Sequence, residues 1–238
     1  MSTPNAWQVS AAPSSTAYFD ESLRQHMLRV YNYMGGGLVL TGIVALFVAS
    51  TPAIYQPIFG TPLKWVVIFA PLAFIFFLSF RIQTISAATA QTLFWVFCAL
   101  MGFSLAAVFL VFTGTSIART FFITAAMFGA TSLYGYTTRR DLSKFGSFLF
   151  MGLIGLVIAS IVNLLIGSSV LQFLVSVVGV LVFTGLTAYD TQSIKEQFAE
   201  EFASESKSKL AVWGALSLYL NFINLFQLLL NLTGDREG

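Results

Sequence analysis

Asp190 is a carboxylate at the end of a long apolar run, and a carboxylate so placed can exchange a proton or hold a cation. A charged Asp at mid-bilayer costs about 2.5–3.5 kcal/mol on the insertion scale, part of which a residue at a helix end escapes by reaching the headgroups. Burial would favour the neutral acid, and a nearby arginine the carboxylate. Arg81 is the basic residue on the correct side to be that partner. The bland alternative is a boundary residue with no role beyond ending its helix. As a metal ligand Asp190 would give only a weak, transient calcium site, because calcium prefers several oxygens and amides are the remaining donors nearby.

A second group lies further on. Ser217, Asn221, Asn224, Gln227 and Asn231 fall within about 120° of arc at 100° per residue. Carboxamides on one stripe are expensive toward lipid, so the stripe must face protein or water. Either it is an interhelical hydrogen-bond lattice that holds a bundle together, or it lines a hydrated, ion-permeable interior. Thr187, one turn before Asp190, joins the candidates for such a lining.

Other chemistry lacks its residues. The single histidine, His26, precedes the first apolar run, so a serine–histidine pair within the membrane is excluded and Ser104 has no base. The single cysteine, Cys98, sits inside an apolar run, which removes disulfides and cysteine-based metal sites. An aspartyl protease would need a second acid beside Asp190. The expectation is a protein that is not an enzyme and has no resident cofactor. Nucleic-acid binding has no support either, since the basic residues cluster no further than Arg139, Arg140 and Lys144, which read as membrane-flanking anchors.

The elements that must position these groups are membrane spans. With 57% hydrophobic and only 9% charged residues, the chain carries too little charge to solvate a globular surface. Seven stretches approach the roughly 20 apolar residues a spanning helix needs: 31–50, 64–80, 92–112, 118–136, 145–166, 170–190 and 210–232. The second holds Pro71 and predicts a kink. Gly167, Ser168 and Ser169 predict a tight turn that makes the fifth and sixth spans an antiparallel hairpin. Small and polar residues predict the packed faces of that hairpin: Gly152, Gly155, Ala159 and Asn163 on one helix, Ser176, Gly179, Thr187 and Asp190 on the other. The fold class expected is an all-α membrane protein, a seven-helix bundle with a central seventh helix. Residues 1–24 read as a flexible cytosolic tail, residues 25–238 as one transmembrane domain, and 191–209 as a cytosolic loop helical for a turn or two.

Charge sets the orientation. The tail and the 2–3, 4–5 and 6–7 loops carry nine of the twelve cations, against Lys64, Arg119 and Arg236 on the other side. The positive-inside rule then predicts a cytosolic N-terminus and a C-terminus on the opposite side.

Three segments are specific enough to name a family. Residues 185–192 (GLTAYDTQ), 216–226 (LSLYLNFINLF) and 134–143 (YGYTTRRDLS) resemble the sixth-helix signature, the seventh-helix motif and the charged 4–5 loop of bacterial members of the Bax inhibitor-1 (lifeguard) family. The resemblance runs from about Arg24 to the C-terminus. It implies six helices wrapped around a central seventh and a pH-sensitive calcium leak down its gradient, with calcium as the permeant ion. In the family a carboxylate pair on the sixth and seventh helices senses pH, and an arginine on the second latches onto one of them. Asp190 matches the first carboxylate, and Arg81 corresponds to the arginine in looser surroundings. The second carboxylate is replaced by Asn221, which does not titrate, so the resemblance implies gating by Asp190 with Arg81 alone. The rival expectation is a non-conducting membrane regulator that binds a membrane-protein partner from quality-control or cell-death machinery. Short loops and the bacterial-type 4–5 loop point to a bacterial inner membrane, with a eukaryotic organelle membrane as the alternative.

Overall fold

The computed structural model of the chain describes residues 15–81, 84–200 and 207–237, with eight helices among them. They are α1 (Ser15–Ser50), α2 (Pro52–Phe59), α3 (Leu63–Arg81), α4 (Ala87–Val111), α5 (Gly114–Thr137), α6 (Ser143–Ile166), α7 (Ser169–Glu200) and α8 (Lys207–Thr233). Six of them, α1 and α4 to α8, are long and apolar enough to cross a membrane. The short α2 and α3 meet that test only together, bent by 88° at the break between them. The break follows from Pro62, which bars Thr61 from the helical region and has no N–H to continue α2. The sharp bend of this region therefore lies upstream of Pro71, where a kink was expected, and Pro71 sits inside a continuous α3.

Two boundaries differ from the sequence expectation for one reason. α1 starts at Ser15, so residues 15–24 are helical where a tail was expected; residues 1–14 lie outside the described residues. α7 continues ten residues past Asp190 to Glu200, about three turns, where a loop helical for a turn or two was expected; residues 201–206 lie outside the described residues. Leu23, Met27 and Val30 recur at helical spacing and are buried in one cluster with Ile194 and Phe198. The His26 ring stacks on Phe198 with centroids 4.6 Å apart. Each extension thus covers the other, and polar neighbours hide both stripes from a hydropathy reading.

The helices pack where small residues let backbones approach. A Cβ at Gly37 would meet the Cys98 sulfur at 2.8 Å, and one at Gly102 the Thr41 carbonyl at 2.8 Å, which brings α1 against α4. Thr41 donates to the Cys98 carbonyl at 2.8 Å and shares a 2.6 Å hydrogen bond with the Tyr219 hydroxyl, tying α1, α4 and α8 in a buried node. Tyr219→Phe leaves the Thr41–Cys98 bond intact and removes one buried hydrogen bond. It should cost about 1 kcal/mol, read as a fall of about 2–4 °C in thermal unfolding in detergent. In the α6–α7 hairpin Gly167 takes φ +70° at the turn, as a left-handed cap requires. Gly152 meets Val182 and Gly179 meets Leu156, but Gly155 meets nothing within 4 Å, so the expected close face is interrupted there.

α8 is the most buried helix and contacts α1, α4, α5 and α7. Its C-terminal end is strapped to the start of α5. Arg119 donates to the Thr233 carbonyl at 2.8 Å, and the Asp235 carboxylate accepts from the Ser116 hydroxyl at 2.9 Å. A cation at one helix's C-terminus and an anion at another's N-terminus both suit the helix dipoles. At the other end of α5, Asp141 accepts from the Ser143 N–H at 2.8 Å. The Ser143 hydrogen bonds, with Lys144 nearby, hold its carboxyl below the usual carboxylate range.

Candidate functional site

α7 and α8 pack along their lengths, and Asp190 faces α8 at a point where two donors lie one helical turn apart. The Ser217 hydroxyl donates to Asp190 Oδ2 at 2.5 Å, and the Asn221 amide donates to the same oxygen at 2.8 Å. These are charge-assisted bonds when the carboxylate is ionised. A proton on Asp190 would convert an acceptor into a donor, and both neighbours would have to reorient. Asp190 is half-buried and opens into a cavity of about 340 Å³ whose polar lining includes Ser193, Gln197 and Ser217.

The turn that carries Asp190 is fixed from behind. A Cβ at Gly135 would collide with the Ala188 carbonyl, and one at Gly146 with the Tyr189 ring, so α5 and α6 approach α7 as closely as glycine permits. Thr191 shares a 2.9 Å hydrogen bond with Ser132, which shares another of 2.7 Å with the Tyr31 hydroxyl. Gln192 is buried and clamps the α5–α6 loop in both directions. It accepts from the Leu142 N–H and donates to the Arg140 carbonyl, each at 2.8 Å. Lys195 donates to the Tyr136 carbonyl at 3.0 Å. Two of the sequence segments, 134–143 and 185–192, therefore hold one another. Gln192 and Ser132 are the positioning residues that sequence reasoning missed; a buried glutamine gives no signal without its partner loop.

The remaining candidates are arranged differently. Arg81 is exposed at the end of α3, and among the described residues it forms no ion pair with Asp190. α3 reaches the cavity through Ile75. Thr187 is buried and donates to the Phe183 carbonyl of its own helix. Asn224 donates to the Leu220 carbonyl of α8, also within its own helix. Of the amide stripe only Asn221 is buried; Asn224 and Gln227 are half-buried and Asn231 is exposed. The stripe lies on the least covered side of α8. Among the described residues its side chains bond to another helix only at Asp190. Among the described residues no dense lattice of amides is formed. No group of three His, Cys, Asp or Glu that could hold a metal occurs among the described residues, so the oxygens at the site are one carboxylate, a hydroxyl and an amide.

Comparison with known proteins matches nearly all of the described bundle. Residues 23–238 match the family described as "Inhibitor of apoptosis-promoting Bax1". The chain is 48% identical over 224 residues to an uncharacterized protein of Rickettsia prowazekii, covering 94% of this chain and 95% of the relative. It is 47% identical over 219 residues to the inner membrane protein YbhL of Escherichia coli, covering 90% and 93%. An uncharacterized membrane protein of Streptococcus pyogenes is 34% identical over 230 residues, covering 92% and 96%. The three sequence segments, two of which meet in the α7–α8 contact, and these matches agree: the chain is a membrane protein that belongs to the Bax inhibitor-1 family.

Proposed function

We propose that the protein is a passive, pH-gated calcium leak in a bacterial inner membrane. In this reading α2 and α3 form one broken span, α8 is the central seventh of seven, and the N-terminus is cytosolic. The observation that carries it is the Asp190–Ser217–Asn221 contact at the edge of a polar cavity, beside the uncovered polar stripe of α8. A cation entering there meets the Asp190 carboxylate, then Asn224, Gln227 and Asn231 in succession along α8. One carboxylate with neutral oxygens binds calcium weakly, which suits passage rather than storage.

Arg81 supplies the gate. It follows Ile75 on α3 by about 9 Å of helix rise, so movement of α3 toward α8 carries the guanidinium to the cavity mouth. The latch needs an ionised Asp190. Acidification neutralises the carboxylate, removes the attraction and frees the opening, so flux rises as pH falls. A membrane helix pair with Asn221 in place of an acid has one titrating group, and its transition spreads over about two pH units.

The test is calcium flux in proteoliposomes across pH, comparing the native chain with Asn221→Asp. The variant sets a second carboxyl within hydrogen-bond reach of the first. Two acids that close share a proton, so its profile should steepen or split into two steps. An unchanged profile would remove Asn221 from the sensor. Absence of flux at any pH would favour the other reading, a non-conducting regulator docked through α6. That helix packs chiefly on α7 and presents Phe148, Met151 and Ile154 outward.

A further inference from the structure

A groove of about 670 Å³ separates α1 from α5, lined by Arg24, Tyr31, Met34, Phe128, Gly129 and Leu133 among others. The Tyr31–Ser132 hydrogen bond, 2.7 Å long, closes its floor. From Arg24 to Met34 the wall rises about 15 Å along the helix, half of the roughly 30 Å hydrocarbon layer. With spans 31–50 and 118–136 in the hydrocarbon layer, the Arg24 end of the groove stands among the headgroups on the side of the α1 N-terminus, and its Phe128 end reaches into that leaflet. Among the described lining residues Arg24 alone is charged and stands at the headgroup end, and Tyr136, near the end of α5, lines the groove as well. The Arg24 side chain is 66% exposed, and its pair with Glu21 on the same helix is long at 3.4 Å, so most of its donors remain available. Glu21 beside it suits an ammonium group. Deeper in, a Cβ at Gly129 would meet no heavy atom within 4 Å, so the missing side chain adds room to the groove.

We infer that this groove binds a single phospholipid of that leaflet, its phosphate on Arg24 and one acyl chain along Met34, Phe128 and Gly129. A charge at one end and an apolar channel of leaflet depth match the polarity of a zwitterionic phospholipid such as phosphatidylethanolamine. An inserted peptide helix would not need its only cation at one mouth. The bound chain would rest on the Tyr31–Ser132 pair, and Ser132 bonds in turn to the buried Thr191, which follows Asp190.

The experiment uses proteoliposomes containing phosphatidylethanolamine with a photoreactive group midway along one acyl chain, and maps labelled peptides by mass spectrometry. Labelling of residues 27–34 and 128–133 should exceed that of the outward α6 face by about fivefold. Gly129→Trp fills the groove and should abolish the excess, while Ile154→Trp on α6 leaves it unchanged. Arg24→Gln should lower labelling by the phospholipid but not by a photoreactive diacylglycerol. Thermal unfolding checks that each variant is folded, and Gly129→Leu replaces the tryptophan variant where that fails. No arm depends on ion flux, so this binding site stands or falls separately from the leak. Even labelling of every exposed helix face, or an excess that survives filling at residue 129, would overturn it.

Discussion

Asp190→Asn should flatten the pH profile of calcium flux and hold the protein in its acid-side, conducting state. Asparagine has the shape of aspartate and keeps an oxygen that can accept from Ser217 and Asn221, which lie 2.5 and 2.8 Å from the native carboxylate oxygen. The α7–α8 contact therefore survives, and what disappears is the proton and the charge. With the carboxylate permanently neutral, Arg81 has nothing to latch, so alkaline flux should rise to the acid value of the native protein. Moving a two-state gate from about 1:99 to 99:1 takes roughly 5.5 kcal/mol of differential stabilisation. An Arg81–Asp190 attraction at the cavity mouth would supply part of that, and among the described residues no other acid lines the cavity. Arg81→Gln should give the same flat profile from the other side of the pair. A pH step that survives in Asp190→Asn ends the assignment of Asp190 as sensor. A profile that is flat but silent would keep the acid and reverse its role, making it an ion ligand rather than a latch.

The contact at the centre of that prediction was only half visible in the sequence. Asp190 and the amide stripe stood out because polar groups are rare and costly in apolar helices, and the bilayer limits the ways to place them. That Asp190 and Asn221 face one another is implied by the family resemblance alone, and nothing in the spacing singles out Ser217 as the second donor. The behaviour of the rest did not follow. Thr187 and Asn224 satisfy themselves on their own helix carbonyls, an option that short polar side chains always have and that periodicity cannot exclude. The inner face of α5, with Ser116, Thr120, Thr124 and Ser132 buried at four-residue and eight-residue steps, gives little sequence signal because hydroxyls are nearly neutral in hydropathy. The ends of α1 and α7 were cut short for a related reason: a helix running past the bilayer keeps an apolar stripe only where another helix covers it, and that partner is distant in sequence. Composition and hydropathy thus specify what lipid sees, whereas pairings inside the bundle depend on shape.

Shape is decisive at Gly135, and Gly135→Ala is the substitution with the largest expected effect on stability. The new methyl would fall on the Ala188 carbonyl, a backbone group that cannot turn aside as a side chain would. α5 and α7 must separate, and the neighbouring bonds from Ser132 to Thr191, from Gln192 to Arg140 and from Lys195 to Tyr136 all cross the same seam. Overpacking of this kind costs about 1–3 kcal/mol, and several strained hydrogen bonds place this case at the upper end. A fall of roughly 5–10 °C in thermal unfolding in detergent is the expected reading. Gly129→Ala, six residues earlier on the same helix, supplies the contrast. Nothing lies within 4 Å of its Cβ, and alanine in a helix is favoured over glycine by about 0.5–1 kcal/mol, so this change should raise the midpoint. Opposite signs for the same chemical change on one helix would separate close helix packing from helix propensity. Equal shifts at both positions would mean that α5 does not press on the turn of α7 that carries Asp190, and the site would then lack the support from behind that fixes its acid.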